Sequence, residues 1–95
     1  RRVSAAEALG WGLINRVVPD GTALEVALEI AAMIAENGPL AVQAIKRSVI
    51  EGADLSEADA LAVELKVGQP VFATKDAREG PRAFAERRKP NFKAE

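Results

Sequence analysis

Phe84, Arg87, Arg88 and Lys89 are the residues of this 95-residue chain whose types and spacing best fit chemistry. An aromatic ring beside three consecutive cations offers a flat apolar surface next to positive charge, a resting place for a flat, polyanionic ligand. The same cations in the last turn of a helix would complement its dipole, and the two readings account for the basic run about equally well. Glu57 and Glu64, seven apart on one helix face with Asp59 nearby, have a spacing open to paired acid/base carboxylates. The simpler account makes them a solvated face opposite an apolar stripe. Lys46 has no sequence neighbour that would depress its pKa, and reads as a solvated or interface lysine. The chain has no cysteine and no histidine, which removes thiol nucleophiles, disulfides, imidazole bases and the usual zinc sites. No residue is assigned a catalytic or metal-ligating role.

These candidates need a helix to position them. Asp76 reads as its N-cap, with Glu79 three residues later completing a capping box. The helix would carry Ala83 and Phe84 on an apolar side, reach Arg87, Arg88 and Lys89 in its last turn, and stop at Pro90. Upstream, Ser4 to Glu7 is a second box that opens a short helix through Leu9, ending at Gly10 to Gly12. Leu13 to Val18 is β-branched and bounded by Gly12 and Pro19-Asp20-Gly21, and predicts one short strand. A lone strand cannot satisfy its own ladder, so it must pair with something beyond this stretch or stay extended and unpaired. Thr22 to Glu25 is a third box, opening an amphipathic helix over 23–36 with Leu24, Leu28, Ala31 and Ala35 at helical spacing. Asn37-Gly38 closes it, and Pro39 starts a helix through Val42, Ile45 and Val49 to Gly52, the two forming a hairpin. Asp54 to Glu57 is a fourth box, leading a longer helix with Leu55, Ala58, Leu61 and Leu65 on one side. Pro70 cannot donate back to Lys66, so that helix should kink or stop near Gln69.

Composition limits the function classes. The chain is 48% hydrophobic but only 4% aromatic, an alanine- and leucine-rich balance that favours closely packed helices. A domain of this size buries roughly 60 to 65% of its surface, and such a core often leans on a partner. Residues 1–74 hold six cations and ten anions, and residues 75–95 hold seven cations and four anions. A locally basic tail on an acidic body suits a small anionic ligand better than a nucleic acid, whose binders are broadly basic with stacking aromatics. There is no apolar run long enough for a membrane span or signal segment, and the opening Arg1-Arg2-Val3 lacks an initiator methionine. The expectation is a fragment of a soluble protein.

Two segments carry a family resemblance. Asp76, Glu79, Gly80, Ala83, Phe84, Arg87, Arg88, Pro90 and Phe92 follow a pattern that resembles the C-terminal signature of the enoyl-CoA hydratase/isomerase (crotonase) family. Ala5, Glu7, Ala8, Leu9, Gly12, Leu13, Ile14, Asn15, Val17, Val18 and Pro19 resemble a second segment of that family, and Pro39, Ala41 and Lys46 resemble its proline-led helix. The fold implied is mainly α: the C-terminal helical region of a crotonase-type ββα-spiral fold, about five helices with one short strand. Residues 1–19 would close the spiral core, and residues 20–95 would form a helical region for trimerisation and coenzyme A contact. The resemblance implies a parent enoyl-CoA hydratase (a lyase) or enoyl-CoA isomerase, in which upstream backbone N–H groups polarise the thioester and upstream acidic residues move protons. This piece alone would be inactive. It would supply oligomer contacts, in a trimer or dimer of trimers, and part of the coenzyme A site through Phe84 and Arg87, with Arg88 and Lys89 beside them. Acyl-CoA is then a substrate and no other cofactor is implied, nor any nucleic-acid or membrane partner. The compartment implied is the cytoplasm, or the mitochondrial matrix in a eukaryote. From the residues alone, a non-catalytic helical assembly module stays open as the alternative, because alanine-rich stripes recur on at least three helices.

Overall fold

Capping side chains and glycine or proline breaks decide where each helix of the chain begins and ends. The computed structural model describes Arg1–Glu95 as five helices, α1 (Ala5–Gly10), α2 (Ala23–Ala35), α3 (Pro39–Gly52), α4 (Glu57–Gly68) and α5 (Lys75–Ala85), with a 3-10 turn at Gln69–Ala73 between the last two. The chain divides into two compact units, Arg1–Ala32 and Met33–Glu95.

In the first unit Ser4 makes the expected box: its hydroxyl accepts from the Glu7 N–H at 3.2 Å, and the Glu7 carboxylate accepts from the Ser4 N–H at 3.0 Å. Gly12, at φ +73°, ends α1. Its N–H donates to the Leu9 carbonyl and that of Leu13 to Ala8, the paired bonds of a Schellman cap. The strand expected at Leu13 to Val18 does not form. These residues run without regular structure from the Gly12 turn to Pro19, because a strand needs a neighbouring ladder and this unit offers none. At Thr22 the third box is also absent: the hydroxyl donates to the Pro19 carbonyl at 2.8 Å, closing the turn that leads into α2.

In the second unit the Asn37 side chain donates to the Met33 and Ile34 carbonyls at 3.0 and 3.1 Å, closing the end of α2. Pro39 then stands at the first helical position of α3, where its missing N–H costs nothing. The expected hairpin of 23–36 with 39–52 spans the two units; within the second unit, the helix pair that packs is α3 with α4. The two come together where Gly52 faces Ala60. A Cβ added at Gly52 would lie 3.2 Å from the Ala60 Cβ. The cap of α4 is Ser56 rather than Asp54, its hydroxyl accepting from the Asp59 N–H at 3.2 Å and donating to the Asp59 carboxylate at 2.7 Å. The helix ends at Gly68 and the chain tightens into the 3-10 turn carrying Pro70, as the missing proline donor requires.

The hydrophobic core is small. Only Ala8 and Ala83 are buried apolar residues, while Leu24, Leu28, Ile45, Val49, Ile50, Leu65 and Phe72 are exposed. Along α3, α4 and the 3-10 turn, several of these apolar side chains line an open groove of about 740 Å³.

Candidate functional site

The C-terminal tail gathers the candidate residues around α5. Thr74, not Asp76, caps this helix: its hydroxyl accepts from the Ala77 N–H at 3.1 Å and donates to the Val71 carbonyl at 2.7 Å. Asp76 therefore sits in the first turn, 7% exposed, and holds the tail. Its carboxylate accepts from the backbone N–H groups of Lys93 and Ala94 at 2.9 and 2.8 Å. Its own N–H donates to the Glu95 carbonyl at 3.1 Å, and Lys75 pairs with the Glu95 carboxylate at 2.6 Å. Glu79 likewise faces the returning chain and accepts from the Asn91 N–H at 2.9 Å. Beyond Pro90, the Phe92 ring lies within about 3.8 Å of where side chains would start at Gly38 and Gly80, so these small positions seat it in ordinary van der Waals contact.

The helix is shorter than its sequence predicts. It ends at Ala85, and the three cations lie past its last turn. The Arg87 N–H donates to the Phe84 carbonyl at 3.1 Å and the Arg88 N–H to the Ala83 carbonyl at 3.0 Å, a second Schellman cap. Here the left-handed residue is Arg87, at φ +53°, where glycine is usual. The dipole reading still applies to charges this near the helix end.

Each cation meets a different fate. Arg88 is the most engaged: it grips both Glu79 carboxylate oxygens, donates to Glu86 at 2.6 Å and to the Lys89 carbonyl at 3.1 Å. Such bidentate, charge-assisted pairs are the strong class of hydrogen bond. The Arg88 guanidinium and then the Asn91 N–H lower the Glu79 pKa from the ordinary 4.5 to about 2. Glu86 is lowered first by Arg82, with which it pairs at 2.9 Å, and then by Arg88, while Arg88 itself is pushed further up by Glu79 and Glu86. Lys89 has a loose, exposed partner in Glu36 at 3.7 Å. Arg87 is exposed and forms no ion pair. Phe84, one turn earlier, is 87% exposed although it directly follows the fully buried Ala83. The arrangement thus presents an aromatic side chain and a free guanidinium on one helix end, able to take a flat anionic group by stacking and charge-assisted hydrogen bonds.

The other candidates lie elsewhere. Lys46 is exposed on α3. Glu57 and Glu64, expected opposite the apolar stripe of α4, flank Leu61 on the wall of the apolar groove instead, since positions three and four apart on a helix share a face. Both are exposed. Sequence reasoning missed the anchoring roles of Asp76 and Glu79 because their D-x-x-E spacing is also that of a capping box. The signal that separates the two is Thr74, a better-placed cap two residues earlier.

Along its whole length, residues 1–95, the sequence matches the family described as enoyl-CoA hydratase/isomerase. It is 55% identical over 92 residues to enoyl-CoA hydratase EchA19 of Mycobacterium tuberculosis, covering 97% of this chain and 35% of that protein. It is 41% identical over 97 residues to the carnitinyl-CoA dehydratase of Proteus mirabilis, covering 98% of this chain and 37% of that one. Among solved structures, an enoyl-CoA hydratase from Bacillus anthracis superimposes with a TM-score of 0.95 at 42% identity, over 100% of this chain and 37% of the other. The chain thus spans about a third of the length of the curated relatives it matches.

Proposed function

The chain belongs to the enoyl-CoA hydratase/isomerase family, and from that premise we propose that it is the C-terminal helical part of an acyl-CoA enzyme that hydrates or isomerises an enoyl-CoA thioester. In this reading residues 1–19 close the spiral core, and the chemistry belongs to residues outside this stretch. The acyl-CoA is the substrate and no further cofactor takes part. The contribution of these 95 residues is an edge for the nucleotide end of coenzyme A. The observation that carries this is the pairing of an exposed Phe84 with an unpaired Arg87 at the end of α5. Phe84 offers a face or edge to adenine, and Arg87, with Lys89 behind it, takes the 3′-phosphate. Arg88 contributes by framing this edge. The exposed apolar faces of α2 to α4 are covered by the rest of the enzyme and by further copies in a trimer or dimer of trimers. A free-standing assembly module is the weaker reading, because the relatives that match along nearly the whole chain carry enzyme names.

The test is a substrate comparison in the complete enzyme. Arg87→Ala should raise KM for an acyl-CoA about tenfold or more, as expected for losing a hydrogen bond between charged groups. KM for the 3′-dephospho analogue should hardly change, and kcat should stay near its original value, because the thioester is remote from the phosphate. Equal effects on the two substrates would remove Arg87 from the ligand site.

A further inference from the structure

We propose that Glu79, Arg88 and Asp76 form a latch that fixes the returning C-terminal segment against α5 and thereby sets the aim of Arg87 beside Phe84; these three are positioning residues for the anion-binding edge. The inference rests on the coenzyme A reading of that edge, and adds to it the device that makes the edge rigid. Three observations on different parts of the tail converge. First, the Arg88 side chain has all three nitrogens occupied, two of them on Glu79 and one on Glu86. With the Lys89 carbonyl also bound, four of the five N–H donors of this guanidinium are spent inside the chain, so its charge serves the fold first. Second, Glu79 accepts from the Asn91 N–H with the same oxygen that meets Arg88, so one carboxylate ties residues 88 and 91 together on either side of Pro90. Third, Asp76, almost wholly buried, accepts two consecutive backbone N–H groups, Lys93 and Ala94.

The geometry gives this latch something to hold. Arg87 sits in the left-handed region at φ +53°, which an arginine enters only when its surroundings over-determine it. Its two flanks are fixed: the Phe84 and Ala83 carbonyls take the N–H groups of Arg87 and Arg88, and Arg88 is then clamped to Glu79. Release of the clamp frees residues 87–94 to leave the turn. Arg87 would then sample many directions, and a ligand would have to bear the ordering cost of the whole segment on binding.

The experiment uses the complete enzyme and two readouts, amide hydrogen exchange at Asn91, Lys93 and Ala94, and calorimetric titration with free coenzyme A. Glu79→Ala removes both attachments, while Glu79→Gln keeps an acceptor for the Asn91 N–H but loses the charge pair with Arg88. The expectation is at least tenfold faster exchange and at least fivefold weaker coenzyme A binding for Glu79→Ala, with Glu79→Gln between it and the parent in both measures. Fast exchange with parent-like affinity would overturn the positioning role, and unchanged exchange would overturn the latch itself. Should Glu79→Ala fail to fold, the Glu79→Gln variant alone decides, on the same two outcomes. Arg87→Ala, run in parallel, separates the premises: if it binds coenzyme A as tightly as the parent, the ligand edge is misplaced, whatever the latch does.

Discussion

Glu79 keeps its charge far into acid because a guanidinium and a backbone N–H hold the ionised form, bringing its pKa from the ordinary 4.5 to about 2. A carboxyl lowered on folding adds stability that is complete above its unfolded value and is lost as protons bind the folded form. The Glu79 contribution should therefore be flat above about pH 5 and fade between about 4.5 and 2. Glu86 and Glu95, lowered by Arg82 and by Lys75 respectively, act with the same sign. Following the Asn91 amide through an acid titration should show its protection failing only within that window; loss near pH 6, or persistence below pH 2, would show that another group controls the tail. The residue order placed Phe84 and the three cations at one helix end, and they are exposed there, with the cations just past the last turn of α5 rather than within it. The division of labour among the cations was not visible in that order. Four consecutive residues from Glu86 read as one charged run, and only the left-handed turn at Arg87 sends Arg88 back to Glu79 while leaving Arg87 free.

At the level of elements, α3 approaches α4 closely at Gly52 and Ala60. Gly52→Leu would push a branched side chain into a space already too small for an unstrained methyl, and should cost about 1 to 3 kcal/mol by overpacking. Thermal unfolding of the complete protein checks this: a variant that melts like the parent would mean the pair opens freely there. Gly52→Ala is the informative control, because its gain in helix propensity, up to about 1 kcal/mol, opposes a smaller clash. Helix boundaries set by proline and glycine were legible: Pro39 to Gly52 is a helix as predicted, and the break near Gln69 falls where Pro70 requires it. Boundaries set by competing polar caps were less so. Ser56 takes the role expected of Asp54, and Thr74 that expected of Asp76, because side-chain oxygens two residues apart are equally good caps on paper and only the backbone turn decides between them. The strand at Leu13 to Val18 failed for a different reason: its β-branched run records a preference for pairing, and pairing is a property of two segments.

On the scale of the whole molecule, large apolar side chains lie in the open, with Leu24, Leu65, Phe72 and Phe84 each mostly exposed. A surface of this kind is built to be covered. Sedimentation of the isolated 95 residues over a range of concentrations should accordingly show self-association or broad, weakly cooperative melting, whereas a lasting monomer with a sharp transition would mean these faces are stable in water. Helical periodicity disclosed which residues form apolar stripes; what covers the stripes lies in other segments, and no reading of one segment can supply it. The left-handed arginine at position 87 carries a last consequence, for anyone who would engineer or evolve this chain. Glycine there would relieve about 1 kcal/mol of backbone strain and would be favoured in any selection for heat resistance, yet it would erase the one unpaired cation of the tail's basic run. On the proposed coenzyme A reading, position 87 is thus a place where fitness for temperature and fitness for ligand pull apart, and libraries screened on melting alone should drift toward sturdier proteins that hold their substrate less well.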